Sequence, residues 1–283
     1  MTTAQKYLQF IAENHAQGSG TAQSYVTAIK KLECALRNEG MFAEKQSLWD
    51  VDDTKYLAEL YEFVKQEQKK EDGGIFRKES AKSYWQKGFC SAALKQLAQF
   101  VTLGSREESM LQKVASATNG TQLGKELLDT PLIANPLLIA DEMDISSLEG
   151  KTALREVEVR QNQYVFRKMI LAIYGGQCCL TGLSVSDVLR ASHISAWASD
   201  VKNRMNPENG LCLSATYDAA FDRHLISFDE DYRLIIAPCA KEHYTDDAFK
   251  EHFVKFEGRK INMPQKFMPS QKLLSKHRDL LVG

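Results

Sequence analysis

The chain has 283 residues, of which 43% are hydrophobic and 26% are charged, and these proportions are typical of a water-soluble globular protein with about two domains. No apolar run is long enough to span a membrane, and the N-terminus lacks the charged and apolar regions of a signal peptide, so we expect a cytoplasmic protein. The net charge of −1 gives no overall attraction to nucleic acid, although a neutral total can hide a local basic surface.

Residues 1–103 are predicted to form an all-helical domain. Thr21 can cap a helix that carries Ile29 and Leu32 on one face, and a long helix is predicted from about Ser80 to Phe100. The charged residues between the apolar stripes include these lysines and arginines: Lys30, Lys31, Lys69, Lys70, Arg77, Lys78, Lys82 and Lys87. They are either solvated helix faces or a surface that contacts phosphates, so this domain is a candidate for binding DNA, a second copy of the chain or another protein.

The region after residue 103 divides into a linker and a second domain. Residues 104–153 are less periodic and contain turn signals, so we predict a linker with short helices. In residues 154–283 an amphipathic helix over 162–174 precedes short apolar segments of strand size. These segments are predicted strands: 178–180, 188–190, 211–213, 225–228 and 233–236. Helices are predicted from Ser214, over 246–256 and over 270–281, which makes this region α+β.

The six cysteines are scattered, and none forms a Cys-x-x-Cys pair. We interpret them as reduced, mostly buried thiols. The alternative is a structural zinc held by Cys178 or Cys179 together with Cys212 and Cys239.

One stretch of the second domain contains the residue types that phosphodiester hydrolysis needs. His193 suits the role of the base, because a histidine with a pKa near ~6.5 is largely neutral at pH 7 and can still accept a proton. Asp218 and Asp222 are four residues apart, so on a helix they share one face and could hold a divalent cation of the Mg²⁺ or Mn²⁺ class. Asn209-Gly210 is a turn signal between two strands, and the Asn209 amide could hold the loop that carries His193.

A strand with a histidine, a turn with an asparagine, a second strand and a helix with metal ligands resemble the ββα-metal motif of the HNH endonucleases. The resemblance covers about residues 160–237, with its core at 178–237, and is greatest to a restriction-type branch of that family. The matching segments are Arg160-Gln161-Asn162-Gln163, Phe166-Arg167, Cys179-Leu180-Thr181-Gly182, Ser192-His193-Ile194, Asn206-Pro207-Glu208-Asn209-Gly210-Leu211 and Phe221-Asp222-Arg223.

This resemblance implies a role for each matched residue. His193 matches the general base, Asn209 the middle asparagine, and Asp218 the third, metal-binding position, while Asp222 falls where some members have another ligand. One Mg²⁺ or Mn²⁺ per active site is the expected cofactor. Arginines that could contact phosphates, or else form surface ion pairs, are Arg160, Arg167, Arg204 and Arg223.

The chain departs from the family pattern at two points. Many members carry an acidic residue or histidine just before the base as a metal ligand, where this chain has Ser192. Members with a structural zinc carry paired Cys-x-x-Cys motifs, which are incomplete here, so we expect no structural zinc.

The resemblance therefore predicts a metal-dependent endonuclease acting on DNA, with double-stranded DNA as the expected form, in restriction or anti-phage defence. Two alternatives remain open. The module could bind DNA without cleaving it, with Ser192 marking lost metal affinity, or it could be a nuclease directed at RNA.

Overall fold

The computed structural model describes residues 2–14, 21–78, 82–129 and 148–281, and within this part of the chain residues 2–129 are almost entirely helical. The helices of this region are α1 (Thr3–Asn14), α2 (Thr21–Asn38), α3 (Thr54–Gln68), α4 (Lys82–Gln86), α5 (Phe89–Ser116) and α6 (Gly120–Asp129). The long helix predicted from about Ser80 is interrupted at Gly88, whose φ of +75° lies in the left-handed region that ends helices. Beyond it, α5 continues past the predicted end of the helical domain.

The chain divides into two compact units. The first consists of Met1–Arg106 and Leu132–Val159, and the second of Glu107–Pro131 and Arg160–Gly283. In the first unit the predicted apolar stripes form the core, as Ile29 and Leu32 of α2 are fully buried. The predicted domain limits at 103 and 154 stay predictions, and the compact units divide the chain at other points.

The second unit is α+β, as predicted, and contains two small antiparallel sheets. Helix α7 (Leu148–Ile173) belongs to this unit from Arg160 onward. The elements that follow it are β1 (Leu189–His193), β2 (Gly210–Ser214), α8 (Ala215–Asp222), β3 (Ile226–Phe228), β4 (Leu234–Ile236), α9 (Asp247–His252) and α10 (Gln271–Arg278). Strand β1 pairs with β2, with Leu189 opposite Ser214 and His193 opposite Gly210, and β3 pairs with β4. None of the described helices is sufficiently long and apolar to cross a membrane.

Two local predictions were wrong. The predicted strand at 178–180 is a buried turn, because the backbone NH of Cys178 donates to Leu183 O and that of Cys179 donates to Cys212 O. Asn209-Gly210 is not a two-residue hairpin turn, since residues 194–209 connect the strands and Pro207–Asn209 is a short 3₁₀ helix. Gly210 is needed for close packing instead: a Cβ there would collide with Ile170 of α7.

Helix α6 lies in the predicted linker, yet it packs within the second unit. A Cβ added at Gly124 would lie 2.7 Å from Asn206 Cα, so only glycine allows this approach. The Asn206 side chain also donates to the hydroxyl of Thr121, at 3.4 Å. Helix α6 therefore supports the connection between β1 and β2.

Candidate active site

A cavity of about 740 Å³ in the second unit brings together three of the residues that the sequence analysis selected for chemistry, whereas the buried Asn209 does not line it. His193 comes from the end of β1, and Asp218 and Asp222 come from α8. The strand β2 runs directly into α8, so the antiparallel pairing of β1 with β2 places the histidine and the two carboxylates on one cavity.

His193 is held by contacts on several sides of its ring. Its imidazole stacks on Phe166 at a centroid distance of 3.8 Å and meets the edge of Trp197 at 5.3 Å. Its Nε2 lies 3.0 Å from the carbonyl oxygen of Arg204. A carbonyl can only accept, so Nε2 carries the proton of the neutral ring and Nδ1 carries the lone pair. Burial lowers the pKa of His193, and the bond to Arg204 raises it in part.

Asn209 fastens the connection that follows His193. Its side chain is fully buried, and its Oδ1 accepts a hydrogen bond from the backbone NH of Ser195 at 2.7 Å. Its Nδ2 donates to the carbonyl oxygens of Ser195 and Asn203, at 3.1 and 3.0 Å. The same connection supplies the Arg204 carbonyl that anchors His193, so these bonds also fix the anchor.

Asp218 and Asp222 lie one helical turn apart on α8, as predicted from their spacing. Burial raises the pKa of Asp222, and the negative charge of Asp218 raises it further. A protonated His224 and the guanidinium of Arg223 act in the opposite direction. The two carboxylates are thus close enough to repel each other, and a cation near them would relieve the repulsion.

The carboxylate oxygens of Asp218 and Asp222 suit a hard cation that keeps part of its water shell. Among the described residues no group of three or more His, Cys, Asp or Glu side chains could hold a metal ion. Mg²⁺ is commonly held by one or two carboxylates together with waters and substrate phosphates, which matches Asp218 and Asp222. Ser192 lines the same cavity, and its buried Oγ has no hydrogen-bond partner among the described residues.

The structure gives the four candidate arginines different surroundings. Arg167 donates to the carbonyl oxygens of Leu189 and Ser186, and thereby fastens the start of β1 to α7. Arg204 donates to Trp197 O and lies over the Trp197 ring, whereas the side chain of Arg223 is exposed. The side chain of Arg160 lies outside the described residues.

The sequence analysis missed three residues that line the cavity: His224, Lys276 and His277. His224 follows α8, while Lys276 and His277 lie on α10, and all three line the cavity with His193. The sequence signals were faint: His224 comes two residues after Asp222, and Lys276-His277-Arg278 is a basic run far from the motif. The packing of α10 against β3 brings Lys276 and His277 to the site, whereas His224 reaches it from the end of α8.

One comparison with known proteins matches the segment that contains these residues. Residues 178–229 match a family model described as HNH endonuclease. This segment contains His193, Asn209, Asp218 and Asp222, whereas α10 lies outside it. No curated protein matches the chain.

Proposed function

We propose, from the premise that residues 178–229 match the HNH endonuclease family model, that the protein is a metal-dependent endonuclease that hydrolyses phosphodiester bonds of double-stranded DNA. The observation that carries the proposal is the state of His193. Its Nε2 is anchored on the Arg204 carbonyl, and burial keeps the ring neutral at pH 7, so Nδ1 can accept a proton.

In this mechanism His193 accepts the proton of the attacking water, which is worth ~10²–10⁴ in rate for a well-placed general base. Stacking on Phe166 and the edge contact with Trp197 restrict the ring to one orientation. Asn209 acts through the connection it closes, because its three hydrogen bonds hold the segment that contains the Arg204 carbonyl. Asn209 is therefore a positioning residue.

We assign Asp218 and Asp222 as the ligands of one Mg²⁺ or Mn²⁺. When bound, the ion supplies charge neutralisation at the phosphate and the leaving 3′ oxygen. The carboxylates contribute two negative oxygens on one helix face, and their mutual repulsion favours a bound cation over a bare pair. Ser192 would hydrogen-bond a water of this site through its buried Oγ.

We propose that the DNA backbone passes over the exposed Arg223. Arg160 is retained as a candidate from the motif resemblance. Arg167 and Arg204 are weaker candidates for phosphate contact because backbone carbonyls occupy some of their donors, whereas Arg223, which has one long bond to Ala219 O at 3.5 Å, is exposed. The same resemblance supports a role in restriction or anti-phage defence in the cytoplasm, with the N-terminal helical region binding DNA, a second copy of the chain or a partner protein.

A second candidate function is a module that binds DNA without cleaving it. It is favoured by Ser192 at the position of an expected ligand, and by the lack of a three-ligand group among the described residues. Calorimetry separates the two functions. If it detects no binding of Mg²⁺ or Mn²⁺ while the protein still binds DNA, the second function is favoured.

The proposal is tested by incubating the protein with supercoiled plasmid, linear duplex DNA and single-stranded RNA across a panel of divalent ions. We expect plasmid nicking or linearisation that needs Mg²⁺ or Mn²⁺ and is abolished by EDTA. His193→Ala should remove the activity, whereas His243→Ala should retain it, because His243 is exposed and outside the cavity. Full activity of His193→Ala would contradict the mechanism, and cleavage of RNA alone would reassign the substrate.

A further inference from the structure

Two further histidines, His224 and His277, line the cavity. His277 of α10 is 4% exposed, and its ring stacks on Phe221 of α8 at a centroid distance of 3.8 Å and an interplanar angle of 4°. Both of its nitrogens have partners: Nδ1 lies 3.0 Å from Ser227 Oγ, and Nε2 lies 3.1 Å from Phe221 O. Such full hydrogen bonding of a buried polar ring indicates a fixed orientation.

These contacts determine which nitrogen of His277 carries the proton. The Phe221 carbonyl can only accept, so the proton is on Nε2. Burial is the main reason that the pKa of His277 is lowered to about 4, so the ring is neutral at pH 7. Nδ1 is then unprotonated, and the hydroxyl of Ser227 donates to it.

The same proton of His277 determines the tautomer of His224. Nδ1 of His224 lies 3.1 Å from Nε2 of His277, and this NH is shared between His224 and the Phe221 carbonyl. Since Nδ1 of His224 accepts, the neutral ring of His224 carries its proton on Nε2. The chain of contacts from Ser227 through His277 thus leaves His224 with one NH that it does not use within the pair.

The backbone at His224 is also unusual. Its φ of +55° lies in the left-handed region, where glycine fits best and a side chain is strained. Strained residues cluster at functional sites, where the surrounding structure holds them in place. Here the ring contact with His277 provides that support, at a centroid distance of 4.7 Å.

The charged residues that line the cavity indicate what the Nε2–H of His224 would bind. Asp218 and Asp222 would repel a phosphodiester, so hydrogen-bond donors that line the cavity are needed beside any cation. Arg167 and Arg190 line the same cavity, but both donate to backbone carbonyls. His224 and the exposed Lys276 are placed to supply the missing donors.

We propose that His224 binds a non-bridging phosphate oxygen of the nucleic acid through its Nε2–H, and that His277 is the positioning residue that fixes this NH. The inference rests on the proposed function for the identity of the substrate. The inference gives the site a residue from outside the matched segment, because His277 lies on α10.

The first test compares three variants of His224 and His277 in plasmid cleavage. His224→Gly suits the left-handed backbone and removes the ring, so we expect kcat/KM to fall about tenfold to a hundredfold, as for a lost hydrogen bond to a charged group, with an unchanged or higher Tm. His224→Gln keeps an NH donor at the distance of Nε2 and should recover part of the loss. His277→Leu should also lower kcat/KM, whereas His243→Gln on the surface serves as the matched control.

The second test does not depend on cleavage. In protein labelled with ¹⁵N-histidine, NMR of the neutral rings should show His224 protonated on Nε2, and this preference should be lost in His277→Leu. In the His193→Ala background with Mg²⁺, His224→Gly should weaken binding of a duplex oligonucleotide about tenfold. The NMR and binding measurements still test the inference if the wild type does not cleave DNA. Absence of cleavage would contradict only the proposed function.

Three results would overturn the inference. One is His224→Gly protein that cleaves and binds DNA as well as the wild type. Another is an Nδ1-protonated His224. The third is a variant whose only defect is a higher Mg²⁺ concentration for half-maximal activity, because that would make His224 a metal ligand.

Discussion

His193 Nε2 donates to the carbonyl oxygen of Arg204 across the loop that Asn209 closes, so the base and the connection that supports it form one hydrogen-bonded assembly. This backbone contact decides which ring nitrogen can accept the proton of the attacking water, namely Nδ1. The assembly is also why a histidine at the end of a short strand can have a single orientation.

The first prediction concerns the pH dependence of cleavage. Burial lowers the pKa of His193, so its neutral, basic form persists further into acid than that of an ordinary histidine. The acid limb of kcat/KM should therefore lie below pH ~6.5, the usual histidine value. Asp218, Asp222 and Lys276 line the same cavity, so the limb is to be assigned by NMR titration of the His193 ring.

Phe166→Leu provides the matched comparison, because it removes the stacked ring and admits water to His193. We expect its acid limb to move toward higher pH. An acid limb above pH ~6.5 in the wild type would contradict the assignment of His193 as the buried base.

The second prediction concerns the buried amide of Asn209. Asn209→Ala leaves the Ser195 NH and two backbone carbonyls without their partners, which should cost about 2–4 kcal/mol of unfolding free energy. Urea denaturation measures the change. The exposed Asn38→Ala should change it by less than ~0.5 kcal/mol, and an equally small effect at Asn209 would show that the loop is held in another way.

The third prediction uses two helical glycines with opposite surroundings. Gly124→Ala places a Cβ 2.7 Å from Asn206 Cα and should destabilise the protein by about 1–3 kcal/mol. Gly104→Ala in α5 meets nothing within 4 Å and should stabilise it by about 0.5–1 kcal/mol. Thermal unfolding of both variants checks the pair, and equal effects of the same sign would refute the close packing of α6.

The fourth prediction concerns acid stability. In the unfolded chain His277 protonates near pH ~6.5, and in the folded protein at about 4, so the unfolded state binds more protons between these values. Stability should fall as the pH drops through this window, by up to about 3 kcal/mol. His277→Asn should flatten this part of the curve, and an unchanged slope would mean that His277 is not buried as a neutral ring.

The fifth prediction concerns the residue beside the base. Ser192→Asp adds a carboxylate where Ser192 Oγ is buried without a partner, so divalent ions should bind more tightly. Isothermal calorimetry with Mn²⁺ measures this gain. Ser192→Ala is the control and should leave stability within ~0.5 kcal/mol, since it removes an unsatisfied group. Mn²⁺ binding by Ser192→Asp that is no tighter than that of the wild type would exclude position 192 as a place for a metal ligand.

Local sequence was enough for those elements whose formation depends on near neighbours. The spacing of Asp218 and Asp222 predicted two carboxylates on one face of a helix, and both residues lie one turn apart on α8. The apolar segments around Leu211 and Leu189 predicted strands, and these became β2 and β1. The motif around His193 also identified the HNH endonuclease family, which the match over residues 178–229 confirms.

Where several elements compete for the same residues, local patterns gave the wrong structure. Asn209-Gly210 has the composition of a tight turn, but the amide of Asn209 is used inside a long connection and Gly210 is required by the approach of Ile170. The Cys178–Leu180 segment is apolar enough for a strand, but its backbone bonds go to Leu183 and Cys212. In both places long-range packing outweighs local propensity.

The sequence by itself determined which residue types the candidate site contains: a histidine, an asparagine and two aspartates in an order typical of one nuclease family. Only the tertiary structure decided which groups surround them. Helix α10, about fifty residues beyond the motif, brings His277 to His224, and α6 supports the loop from a region that reads as a linker. Periodicity and spacing describe neighbours along a helix or strand, whereas these contacts depend on how whole elements bury their apolar faces against each other.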